Sequence, residues 1–359
     1  MGGNKVTYSP TFTHLGLDWS EGKLGPNVDS RIKTARKTVY ALMGTGLHGQ
    51  NGLSPAIANH VIKIYVIPRL LYGLEATVLT KKQREELSTY HRNLLRIIQG
   101  LPKSTANEAI FILMGELPIE AELDIRILKM FGAICRADSN STLKKMAHRQ
   151  IAIDNKHSWF HQILLLGEKY SISRSLVVDT PWRRSTWNSY IENAVRSHWK
   201  QLLFEKTMTK SSLKMINSHN LMALKPHNLW YSCAKDPRMV PAAVIRAKLI
   251  SNTYWVQQRR AKVNKNNPDP TCMLCKEESE DVTHMLLKCK STLQIRQPRL
   301  RKLKDYKFIP DNARDLLNGP TSNTDSIIGL RINYLITDLC QRLHREREKL
   351  LQQQLNSAT

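Results

Sequence analysis

Near its carboxyl end the chain carries Cys272-x2-Cys275-x8-His284-x4-Cys289, and no other feature restricts the local fold so tightly. Two cysteines two residues apart can turn both sulfurs onto one metal ion through a tight knuckle. The His-x4-Cys pair, on a short helix expected over Asp281 to Lys288, can close the tetrahedron. Four thiolate and imidazole donors fill the shell of one Zn2+ ion and leave no position open for water, so the pattern specifies a structural zinc site and no catalytic residue. Pro268 and Pro270 bound the unit, and Met285, Leu286 and Leu287 are expected to dock it onto neighbouring helices. A redox Cys-x-x-Cys would need a βαβ setting, which the flanking sequence lacks. Cys135, Cys233 and Cys340 stand apart in apolar surroundings and read as buried thiols.

Charge supplies the second constraint. The 359 residues include 54 Lys and Arg against 30 Asp and Glu, a formal net charge of +24. Such an excess repels itself in a compact state and implies a polyanionic partner. It gathers around the metal motif. Between Arg238 and Pro268 there are seven basic residues, Arg238 with Arg246, Lys248, Arg259, Arg260, Lys262 and Lys265, and no acid. Between Lys290 and Lys304 there are six, Lys290 with Arg296, Arg299, Arg301, Lys302 and Lys304, again with no acid. Tyr254 and Trp255 offer faces for base stacking. RNA or DNA, held through phosphates, is the expected partner; clustering of this kind carries no base-specific readout.

A membrane fits less well. No run reaches roughly 18 apolar residues, and the most apolar stretch, Val61 to Leu79, is broken by Lys63, Pro68, Arg69 and Glu75. The Met1-Gly2 start has Val6 where myristoylation wants Ser or Thr, and no apolar segment follows Met1. An intracellular protein is expected, nuclear or in a cytoplasmic ribonucleoprotein.

Periodicity predicts a mainly α protein with a short strand or hairpin near the amino terminus. Thr11 to Leu17 alternates like a short strand or hairpin arm. From Asp29 the period becomes helical, with Ile32, Ala35, Val39 and Leu42 on one face and Arg31, Lys33, Arg36 and Lys37 on the other. Ser54-Pro55 starts a helix through Ile57, Val61, Ile64 and Tyr65 that Pro68 should kink. Further helices are expected from Lys81 to Gly100 (Leu87, Leu94, Leu95, Ile97 and Ile98 inward), over Asn107 to Met114, and over Ile119 to Cys135. Trp159, Trp182, Trp187, Trp199 and Trp230 read as core or interface anchors. A last helix is expected over Asp325 to Gln354 with Ile328, Ile332, Leu335, Leu339 and Leu343 inward and a solvated end from Arg342 to Lys349. The expected regions are residues 1–29, a strand or hairpin; 30–136, a helical bundle; 137–264, a helical linker; 265–292, the zinc knuckle; and 293–359, a basic segment with the last helix.

Pro68-Arg-Leu-Leu71-Tyr72-Gly73-Leu-Glu75 resembles the PxLLYGxExW segment of non-LTR (LINE-type) retrotransposon reverse transcriptases, with Val78 near the usual Trp. His14-Leu15-Gly16-Leu17 is similar to the strand that closes their palm. Leu95-Arg96-Ile97-Ile98-Gln99-Gly100-Leu101 and Asn107 to Pro118 are similar to the helix end and turn that follow, and the Cys-Cys-His-Cys unit to their carboxyl-terminal zinc element. The resemblance runs in order from about residue 12 to 290. It implies that residues 30–136 correspond to the thumb, and that the chain grips RNA template and target or primer DNA beside a polymerase palm-and-fingers polypeptide. Polymerase chemistry needs clustered carboxylates for two metals. The chain has no Asp-Asp pair, so no polymerase activity is expected of it alone. Two other readings stand beside this one: a restriction-like nuclease built on Asp311 and Asp325, and an inert relic or helical scaffold.

Overall fold

The alternation over Thr11 to Leu17 belongs to a hairpin, as expected. β1 (Thr11–His14) pairs antiparallel with β2 (Leu17–Ser20), Thr11 opposite Ser20 and His14 opposite Leu17. Leu15 and Gly16 link them at φ 49° and 73°, the left-handed pair a two-residue hairpin turn requires. The computed structural model describes residues 8–21, 28–48, 52–153, 155–178, 182–233, 236–266, 268–320 and 326–356.

The rest is helical, as the periodicity predicts. In chain order come α1 (Val28–Met43), α2 (Pro55–Tyr65), α3 (Ile67–Leu71), α4 (Lys81–Ile98), α5 (Asn107–Met114), α6 (Ile119–Cys135), α7 (Thr142–Ile153) and α8 (Trp159–Lys169). They are followed by α9 (Arg184–Thr209), α10 (His219–Ala223), α11 (Val240–Ile250), α12 (Gln257–Val263), α13 (Leu293–Asp305), α14 (Ala313–Asn318) and α15 (Ile327–Asn356). Pro68 separates α2 from α3 by falling in the first turn of the new helix, where its missing N–H has no partner to lose.

Several faces differ from the expected ones. On α2 the inward residues are Ala58 and Ile62, whereas Ile57, Ile64 and Tyr65 are exposed. Ile97 and Ile328 also face outward. Arg31 turns inward and donates from Nη2 to the Gly16 carbonyl at 2.8 Å. Each residue sits at the margin of an apolar stripe, where tertiary packing decides the rotation. None of the described helices is long and apolar enough to cross a membrane.

The chain forms two compact units. The first comprises residues 1–41, 62–91 and 117–202. Its core helix, α6, buries Leu123, Ile127, Leu128 and Phe131. Gly132 lets the indole of buried Trp187 lie against the α6 backbone, and Trp187 Nε1 donates to the Leu128 carbonyl at 2.9 Å. Asp124, with a fully buried side chain, is neutralised by Arg84 Nη1 at 2.9 Å and Lys169 Nζ at 2.8 Å and accepts from the Tyr170 hydroxyl at 2.7 Å. A buried carboxylate persists only with that degree of pairing.

The second unit comprises residues 42–61, 92–116 and 203–359 and contains the metal motif. Its α5 is buried from Glu108 to Met114. Trp230 Nε1 donates to the Leu113 carbonyl at 3.0 Å, and the His227 backbone N–H to the same carbonyl at 2.8 Å. Gly115 ends α5 at φ 66°, and a Cβ there would stand 2.1 Å from the Lys225 carbonyl oxygen. The isolated cysteines Cys135, Cys233 and Cys340 are all buried, as expected. His227 is sealed beside Asn318, whose Oδ1 lies 3.0 Å from its Nε2, while its Nδ1 accepts from the Leu229 N–H. Burial lowers its pKa from 6.5 to about 3, with Arg246 adding to the shift.

Two outcomes follow. Gly115→Ala meets both a left-handed backbone and an immovable carbonyl, so it should lose about 2 kcal/mol in urea unfolding. His227 takes up its proton near pH 6.5 when unfolded but only near 3 when folded. The unfolded state therefore holds more protons between those values, and the contribution is complete above pH 6.5 and lost as pH falls toward 3. Unfolding measured across that range should show a shallower acid limb in His227→Gln than in the parent.

Candidate metal centre

A backbone reversal holds the first two candidate ligands and a widened helical turn carries the others. Thr271 bridges antiparallel to Ser279, and the Cys272 N–H donates to the Glu278 carbonyl at 2.8 Å. Lys276 takes φ 58°, which turns the chain directly after Cys275. The expected helix is shorter than Asp281 to Lys288: the Asp281 carboxylate accepts from the His284 N–H at 2.6 Å, and His284–Lys288 has π geometry. This wider turn ends with the Cys289 N–H donating to the His284 carbonyl at 2.9 Å. Met285 and Leu286 are buried beneath it.

The four residues Cys272, Cys275, His284 and Cys289 bring one donor atom each to a common centre, all within 4.8 Å of one another. Cys272 Sγ and Cys289 Sγ are 4.0 Å apart, and Cys275 Sγ lies 3.4 Å from His284 Nε2. In a tetrahedral shell with ordinary zinc bond lengths these separations would be about 3.8 and 3.6 Å. The group can hold a metal ion, and its donor set is compatible with zinc. His284 Nδ1 has no hydrogen bond and lies 3.5 Å from Glu278 Oε2, a carboxylate placed to orient a ligating imidazole. Without an ion the sulfurs compete for protons. The Cys272–Cys289 interaction and burial push Cys272 up to about 12, while the same interaction lowers Cys289 to about 7.

What fastens this unit is not visible in the ligand spacing. Glu280, the buried acid of the knuckle, accepts from Arg347 Nε at 2.7 Å and Nη2 at 2.9 Å, and from the Gln257 N–H at 2.8 Å. Both side chains of the ion pair are 3% exposed. The expectation of a solvated Arg342 to Lys349 therefore fails at Arg347. A signal existed: stepping four residues along the stripe Leu335, Leu339, Leu343 reaches 347. Arg296 Nη1 adds a bond to the Cys289 carbonyl at 3.0 Å.

The basic residues singled out in the sequence divide into two groups. Arg246 is fully buried; Nε donates to the Leu317 carbonyl, Nη1 to the Asn333 carbonyl and Thr337 Oγ1, and Nη2 to Asn333 Oδ1, at 2.8–3.1 Å. Its place on the buried side of α11, with every guanidinium nitrogen bonded inside the protein, makes it a core residue, not a phosphate contact. Arg296 is likewise buried, and so is Tyr254, whose hydroxyl meets His344 Nδ1 at 2.7 Å, so neither is open to a ligand. Lys248, Arg259, Arg260 and Arg299 are half-buried, and Lys262, Lys265, Arg301, Lys302, Lys304 and Trp255 are exposed. Along α13, Arg296 and Leu303 face inward, which leaves Arg301, Lys302 and Lys304 outward. Arg299 is turned toward Asp338 at 3.6 Å. Asp311 is exposed ahead of α14, and Asp325 lies outside the described residues.

Removing one partner of the Glu280–Arg347 pair leaves a buried charge unpaired. Glu280→Gln should cost about 3 kcal/mol and expose Cys275 and Cys289 to thiol reagents at lower denaturant than in the parent protein. No protein family, curated protein or solved structure matches the chain, so its function is argued from the chemistry of this site.

Proposed function

We propose that the protein is a nucleic-acid-binding protein, without catalytic activity of its own, in which Cys272, Cys275, His284 and Cys289 hold one structural zinc ion. The observation that carries this reading is the pairing of a closed metal tetrad with outward basic residues on both sides of it in sequence: Lys262 and Lys265 before, Arg301, Lys302 and Lys304 after. Four protein donors saturate zinc, so the ion supplies rigidity and no activated water. Outward lysines and arginines supply phosphate contacts, whose free energy comes largely from released counterions. The resemblance to the thumb-to-carboxyl part of LINE-type reverse transcriptases supports the same reading and proposes RNA template, or target and primer DNA, as the ligand. It also proposes a palm-and-fingers polypeptide as the partner that would carry the polymerase carboxylates.

Protein purified under reducing conditions should contain about one zinc per chain, and Cys289→Ser should lose the metal together with the order of residues 265–292. Well under one zinc overturns the structural-metal reading. In gel-shift titrations at several salt concentrations, Arg301→Glu with Lys302→Glu and Lys304→Glu should weaken RNA or DNA binding. The salt slope should flatten by about 0.7–0.9 for each lost phosphate contact. Absence of salt-sensitive binding in the parent protein overturns the nucleic-acid reading.

A further inference from the structure

Against α12, a cleft of about 270 Å³ is walled in part by Lys214, Asn252, Gln258, Arg259, Lys262 and Asp281. Asp281 commits an oxygen to the His284 N–H. Arg259 is the group to explain. Its Nη1 donates to the Asn252 carbonyl, its Nη2 is 3.4 Å from Ser104 Oγ, and its buried Nε has no hydrogen-bond partner. Every acceptor it has is neutral, and burial alone depresses its pKa, with no acid compensating. A partly desolvated guanidinium held in this way retains donor capacity that an anion would satisfy.

Beside it the chain turns a tryptophan outward. Tyr254 and Val256 are 7% and 2% exposed, whereas Trp255 between them is 50% exposed. Arg259 Cζ lies 5.5 Å from the centre of the Trp255 ring, so the positive charge that lines the cleft has an exposed aromatic ring beside it. Phosphate and base are likewise adjacent within one nucleotide.

We propose that Arg259, Lys262 and Trp255 form a subsite for a single-stranded nucleic acid, with one phosphodiester in the cleft and an unpaired base stacked on the Trp255 indole. The proposal rests on the nucleic-acid reading above and specifies its ligand. Stacking on a side chain needs a free base face, which a duplex keeps covered by its neighbours; the phosphate contact alone would serve either form. The subsite therefore discriminates strand state through Trp255 and contributes salt-dependent affinity through Arg259.

The test uses the full zinc-loaded chain with short labelled single-stranded RNA, single-stranded DNA and the matching duplex. Trp255→Ala should lose about tenfold affinity for single strands and leave duplex affinity unchanged, while Trp255→Phe keeps most of the single-strand affinity. Arg259→Gln should reduce the single-strand salt slope by about 0.7. The more tightly held of the two single strands identifies the sugar. Zinc content and circular dichroism equal to the parent's establish that each variant is folded; if Trp255→Ala falls short, Trp255→Leu, which keeps apolar bulk without an aromatic face, carries the comparison on the same probes. Equal losses on single strand and duplex, or no loss on either, overturn the subsite while leaving the broader reading in place. No binding of any probe by the parent protein overturns both.

Discussion

The buried ion pair between Glu280 and Arg347 fixes the metal unit to the rest of the second compact unit. A knuckle of this size has almost no core of its own, and a bound ion can order its loops but cannot orient them. Glu280 performs that second task by accepting at once from the α15 guanidinium and from the first N–H of α12. Breaking such a pair is costly because the surviving charge has no water to turn to. The positions of the turn that carries His284 and Cys289, α12 and α15 are thereby specified together, so the charges along α12 keep a fixed spacing from the Cys-His group.

The same helix, α15, receives Arg246 in its amino-terminal half through Asn333 and Thr337. Here no carboxylate is supplied, and the guanidinium is satisfied by carbonyl, amide and hydroxyl oxygens. Burial lowers its pKa to about 10, which leaves it charged at neutral pH. One long helix thus accommodates two buried arginines by different means, an ion pair toward its carboxyl end and a cage of neutral acceptors toward its amino end.

Much of this was legible in the sequence. Helix positions followed from apolar periodicity, and the bounds of α5 and α6 were readable because Gly115 and Pro118 punctuate them. The four metal-ligating side chains converge because their spacing is short and local. Other features were not legible. Arg246 and Arg296 count as ordinary cations in a basic run until partners 71 and 7 residues away are known to take their N–H groups. Tyr254 and Trp255 are neighbours of similar chemistry, yet one is buried against His344 and the other faces outward. Nor does any local period encode which separated segments join in one compact unit, since that depends on contacts between segments far apart in the chain.

The cage around Arg246 has a consequence outside the core. Its charge is offset by no acid and lies in a medium that screens poorly, so its field extends to the protein surface. Yet Arg246 touches no solvent and can displace no cation from a phosphate backbone. The chain therefore has two populations of positive charge: outward residues that would exchange with counterions if a polyanion docked, and inward ones that would only deepen the potential it approached. On the proposed reading, the first would set the salt sensitivity of the bound state, while the second would strengthen the attraction felt during approach.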